Sequence, residues 1–133
     1  MLRLKRLIFP EQARSLPAQR WLRISLRTLH LIGVSGLGGA FLFEVDPSLW
    51  LPYWWLVMIS GSLLMLIELW ISGIWLLQLA GQAILLKLLL LAAIKWWPAA
   101  DMVLFIVIII ISGVISHAPA RWRHYSIWHR RVL

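Results

Sequence analysis

Residues Thr28 to Phe43, TLHLIGVSGLGGAFLF, hold one histidine (His30), four glycines (Gly33, Gly36, Gly38, Gly39) and no formal charge. At about 100° per residue a helix places His30, Gly33, Gly36, Leu37 and Ala40 on one side, forming a groove with an imidazole at one end. Lipid gains nothing from such a face, so it packs against either another helix or a flat cofactor.

The composition of the whole chain agrees with a membrane-buried segment. Hydrophobic residues make up 62% of the 133 and charged residues 14%, against about half and about a quarter in soluble domains. No soluble core of this size hides so much apolar surface, so the expected solvent is a bilayer. There is no cysteine, which removes disulfides, thiolate metal sites, Fe–S ligation and covalent haem attachment.

Before this stretch, residues 1–20 form a basic interfacial segment, and the first span covers about 21–43. Arg3, Lys5, Arg6, Arg14, Arg20, Arg23 and Arg27 face a single acid, Glu11. The apolar run Leu7 to Phe9 ends at Pro10, too short for a signal peptide, so the segment is expected to stay in the mature chain. Pro17 suits the first turn of a helix capped by Ser15 or Leu16. A basic run joined to a span reads as lipid-facing rather than nucleic-acid-binding.

After it, EVDPSLWLP is a loop outside the hydrocarbon. Further spans are expected at about 51–72, 78–97 and 101–117, with the apolar connection GIWLLQLAGQ at the interface and KWWPAAD as a short outer turn. Residues 118–133 form a basic, aromatic tail, expected to be an interfacial helix that grips anionic lipid through Arg121, Arg123, Arg130 and Arg131, as Arg20, Arg23 and Arg27 do at the other terminus. The expected fold is therefore all-α, an integral membrane four-transmembrane-helix bundle in a single domain. Eleven of the thirteen Lys and Arg residues lie in the two terminal segments, so the positive-inside rule puts both termini in the cytoplasm and the protein in the inner membrane. The ten tryptophans divide evenly between two interfacial belts, with Trp50, Trp54, Trp55, Trp96 and Trp97 on the outer side.

Polar residues inside the spans carry whatever chemistry there is. His30 and His117 each lie roughly 4–6 Å inside the inner boundary, each with a glycine one turn deeper, Gly33 and Gly113. Two imidazoles at one level with small residues beside them are what a bis-histidine b-type haem needs. The plain alternative is that His30 bonds a neighbouring serine or backbone group and His117 simply ends a helix. Glu68 and Lys87 are expected to pair across the second hairpin as an intramembrane ion pair, or to serve as a proton relay or quinone-site acid. His124 and His129, five residues apart, do not share a helix face and make no metal site. No hydrolase triad, phosphate-binding loop or zinc-protease helix is present, and no intrinsic catalytic activity is expected.

The segments LHLIGVSGLGGAF, ILLKLLLLAA and ISHAPARWR resemble small bacterial membrane proteins of the CopD and cytochrome b561-like group. The resemblance implies a helical bundle whose histidines ligate haem or copper, here His30 and His117. The chain lacks the fuller histidine set of a two-haem cytochrome b561, which leaves at most one site. Its length and span number are also similar to small multidrug-resistance exporters and fluoride channels, but the exporters' first-span acid is replaced by a histidine.

Three functions follow as expectations. One is a haem- or quinone-associated electron-transfer or accessory subunit of a larger membrane complex. Another is a structural or assembly subunit without a cofactor, in which Gly33, Gly36 and Ala40 receive a partner helix or a second copy of the chain. The last is a small transporter using Glu68 and Lys87.

Overall fold

The computed structural model describes residues 1–133. Four long helices are joined by short ones: α1 (Leu2–Ile8), α2 (Gln19–Leu42), α3 (Pro47–Ile71), α4 (Ile74–Leu77), α5 (Leu79–Trp96), α6 (Asp101–His117) and α7 (Ala120–Arg123). Two strands of two residues each, β1 (Tyr125–Ser126) and β2 (Arg131–Val132), pair antiparallel with Tyr125 opposite Val132. Three segments are long and apolar enough to cross a membrane: Pro47–Ile71, Leu79–Trp96 and Pro98–His117. The remaining long helix, α2, has 24 residues, about 36 Å at 1.5 Å per residue. Arg20, Arg23, Arg27, His30 and its glycines dilute its apolar content below that of the other three.

Local chemistry sets the ends of these helices. Asp46 caps α3 by accepting from the Ser48 backbone N–H at 2.9 Å, and Pro47 fills the first position, where no N–H is needed. The α2–α3 turn closes when the Val45 N–H reaches the Ala40 carbonyl at 2.9 Å, with Glu44 in the left-handed region at φ 49°. That is a Schellman ending built on a residue other than glycine. At its start α2 is not capped by Ser15 or Leu16. Its cap residue is Ala18, also left-handed, while Gln19 Oε1 accepts from the Leu16 N–H at 3.0 Å.

The core lies toward the end of the bundle opposite the chain termini. Leu37, Ala40 and Phe41 of α2 meet Trp50, Trp54 and Val57 of α3, Leu91 and Ile94 of α5, and Phe105 of α6. Phe41 stacks edge-on against both Trp50 and Phe105, with ring centroids 5.3 and 5.4 Å apart. In lipid such contacts stabilise through close van der Waals packing rather than exclusion of water. Two tryptophans expected in the outer belt are core residues instead: Trp50 is 4% exposed and Trp54 3%. The Trp54 indole N–H donates to the Leu91 carbonyl at 2.9 Å, joining α3 to α5. Trp55, Trp96 and Trp97 are exposed, as a belt requires.

At the other end both terminal segments fold back onto the bundle. The Gly73 N–H donates to the Ile8 carbonyl at 2.8 Å, and a Cβ at Gly73 would stand 2.1 Å from that oxygen, so only glycine permits the contact. Arg14 donates to the Leu7 carbonyl at 2.9 Å and lies over the Trp70 ring at 4.7 Å. The tail is not the interfacial helix expected from its composition. After one turn of helix it doubles back as the β1–β2 hairpin, whose end is held where Gln78 donates to the Leu133 carbonyl at 3.1 Å. Ser126, fully buried, makes a 3.1 Å hydrogen bond with His129 Nδ1, which accounts for that histidine without a metal.

Candidate functional site

The glycine face of α2 is filled by α3 of the same chain. A Cβ at Gly33 would lie 2.5 Å from Val57 Cγ2, and one at Gly36 would lie 2.3 Å from the Tyr53 ring. Small residues here let two antiparallel helices approach closely. Gly39 and Gly113 have nothing within 4 Å of where a Cβ would be, and Gly38 meets only Phe105.

Besides the Trp54–Leu91 bond, three side-chain-to-side-chain polar contacts cross between helices within the bundle. Toward the basic end, Arg23 of α2 pairs with Glu68 of α3 at 2.6 Å. Further in, His30 Nδ1 lies 3.0 Å from Ser60 Oγ. The Ser60 hydroxyl donates to the Leu56 carbonyl at 2.6 Å, so the imidazole donates to Ser60 from Nδ1–H. On the second hairpin Lys87 of α5 donates to Ser112 Oγ of α6 at 3.2 Å.

This arrangement corrects the expected ion pair. Glu68 and Lys87 are half-buried on different seams, with Arg23 and Ser112 as their respective partners. The reason is position along the chain. Glu68 sits three residues from the end of α3 and Lys87 eight residues into α5, so they differ in depth by about 8 Å. Arg23 lies at the level of Glu68. For the same reason Arg23 is not one of the exposed arginines; Arg123 is half-buried too, whereas Arg20, Arg27, Arg121, Arg130 and Arg131 are exposed.

His117 donates from Nδ1 to the Gly113 carbonyl of its own helix at 2.9 Å and is exposed. Both imidazoles thus donate from Nδ1, the nitrogen whose N–H a haem-ligating histidine also donates to a neighbour. Their surroundings do not fit a porphyrin bridging them. Gly33 is covered by Val57 whereas Gly113 faces open space, so the two glycines do not flank one gap. No group of three or more His, Cys, Asp or Glu side chains converges to hold a metal ion. The chain matches no known protein family, curated protein or solved structure.

Sequence periodicity placed His30, Gly33 and Gly36 on one face, and that face is real. It could not name Ser60, Tyr53 and Val57 as what lies on it, because the α3 sequence is apolar all round and marks no preferred side.

Proposed function

We propose that the chain is a small accessory subunit of the inner membrane that crosses the bilayer four times, keeps both ends in the cytoplasm and has no catalytic centre of its own. The fourth crossing is supported by the way α2 follows α3. The two touch from Arg23–Glu68 to Phe41–Trp50, eighteen residues along α2, or about 27 Å. A helix that follows a spanning helix for most of the hydrocarbon thickness spans with it. The orientation is supported by charge: the Ile8–Gly73 and Gln78–Leu133 contacts bring both termini to one end, and that end gathers eleven of the thirteen Lys and Arg residues.

The observation that carries the reading without a cofactor is the closed glycine face, which α3 of the same chain fills in place of the partner helix expected there. The groove a cofactor or substrate would need on α2 is used to bind α3, and Arg23, His30 and Lys87 each join one helix to another. The buried polar groups therefore serve as helix-to-helix fastenings. Blue-native electrophoresis of membranes solubilised in mild detergent tests the accessory role. The proposal requires a band well above the 15.4 kDa chain in its detergent micelle. A chain that migrates alone in every mild detergent would contradict it.

A second reading, an electron-transfer subunit binding haem b or quinone, ranks below the first because the surroundings of His30 and His117 do not suit a porphyrin that bridges them. A reduced-minus-oxidised spectrum with a b-type signal, lost in His30→Ala and His117→Ala, would favour it over the first.

A further inference from the structure

We propose that α5, α6 and the tail together form a binding site for one anionic phospholipid of the inner leaflet, with an acyl chain in the α5–α6 groove and the phosphate at Arg121. The groove has a volume of about 680 Å³ and is lined almost entirely by aliphatic side chains, among them Leu79, Ala83, Leu86 and Leu89 of α5 and Ile110 and Val114 of α6. At its basic end it meets a second hollow of about 440 Å³, bounded by Leu79, Arg121, Trp122, Tyr125 and Val132. Leu79 belongs to both, so the two adjoin.

Length and charge select the occupant. From Leu79 to Leu89 the groove runs ten residues along α5, about 15 Å, which is half of a hydrocarbon core about 30 Å thick. It is therefore the depth of one leaflet, the reach of a single acyl chain. A helix of a neighbouring subunit would lie along the full length of the hairpin and would leave Arg121 facing apolar atoms. A lipid places its only charge where the guanidinium is and its apolar tail where the groove is. Trp122 and Tyr125 supply the amphipathic rings suited to headgroup level. The hairpin fold of the tail is what brings Tyr125 and Val132 to this hollow, and an extended interfacial helix could not do so.

The site depends on α5 and α6 lying in a bilayer with the tail on the cytoplasmic side, as proposed above, and not on the accessory role. Native mass spectrometry of the full chain, released from nanodiscs holding equal amounts of phosphatidylglycerol and phosphatidylcholine with identical acyl chains, tests it. The expected result is one retained phosphatidylglycerol per chain, preferred at least fivefold over phosphatidylcholine. Arg121→Ala abolishes the preference, and Val114→Trp, at an exposed position that can hold the ring without repacking a core, removes both lipids. Leu89→Trp provides a second block should the first variant fail to fold, and Lys95→Ala, at an exposed position at the opposite end of the bundle, serves as a basic-residue control with retention unchanged. Equal retention of the two lipids, wild-type retention in both groove-blocking variants, or a lipid-free dimer broken by Val114→Trp would each overturn the proposal. A reversed membrane orientation shows in labelling experiments and leaves lipid retention in nanodiscs as it is, so the two failures are distinguishable.

Discussion

Arg23 Nη2 and Glu68 Oε1 lie 2.6 Å apart, with the two side chains 29% and 28% exposed, and they bridge α2 and α3 at the end where the basic termini gather. Their burial is intermediate between an exposed pair, which contributes about 0–1 kcal/mol, and a buried pair, whose breaking on one side costs about 3–5 kcal/mol. Glu68→Gln should therefore cost about 1–2 kcal/mol in detergent, read as a lower unfolding temperature. In a double-mutant cycle Glu68 should couple to Arg23, while its coupling to Lys87 should stay below about 0.5 kcal/mol, as for separated sites.

The glycines divide into two kinds, and substitution separates them. Gly33→Ala sets a methyl group against Val57 and the Tyr53 carbonyl, so the α2–α3 pair must part, at a cost of about 1–3 kcal/mol. Gly39→Ala and Gly113→Ala meet nothing and remove the conformational freedom of glycine in a helix, so each should stabilise by about 0.5–1 kcal/mol. Thermal unfolding of the three variants in one detergent checks the sign of each.

This division marks where sequence reasoning ends. The four long helices were legible because apolar runs broken by Asp46-Pro47, Gly73 and Pro98 leave little choice; the largest departure is α3, which begins at Pro47 and so takes PSLWLP, read as part of a loop, into the helix. Partners were not legible. A period of 3.6 says which residues share a face but not what lies opposite, so Glu68 was assigned to Lys87 when Arg23 stood at its level. Trp50 and Trp54 look like belt residues by position in the chain, and only packing against Phe41 and Leu91 shows them to be core. The tail escaped because strands of two residues have no periodicity to read, and its aromatic and basic composition suits a hairpin and an interfacial helix equally.

Trp54 and Trp55 are neighbours in sequence with opposite roles. Lys95 lies over both rings, at 5.1 and 4.7 Å, but only the Trp54 indole is buried and bonded to Leu91. Trp54→Phe should cost about 1–3 kcal/mol for the lost hydrogen bond and the unfilled space. Trp55→Phe, on an exposed ring, should change stability by no more than about 0.5 kcal/mol. Chemical denaturation of the two variants side by side measures the difference.

Asp46 provides a handle on pH. The hydroxyl and backbone N–H of Ser48 both donate to its carboxylate and hold its pKa below the ordinary aspartate value. A carboxylate whose pKa is depressed on folding contributes stability that is present above the unfolded value of about 3.9 and is lost as the pH falls through the folded value. Asp46→Asn keeps a capping side chain but cannot titrate, so its unfolding temperature should fall less steeply than that of the wild type below about pH 4. Asp46→Ala should be weaker than the wild type at neutral pH, where the cap is intact.

The crossing of α2 is the claim on which the four-span account depends. The chain has no cysteine, so single cysteines at exposed positions report the side of the membrane without background. With a membrane-impermeant maleimide on intact cells, Phe43→Cys and Ala99→Cys should label from outside. Ala13→Cys and Ile127→Cys should label only after the membrane is permeabilised. Labelling of Ala13→Cys and Phe43→Cys from the same side would mean that α2 does not cross, and would contradict the account.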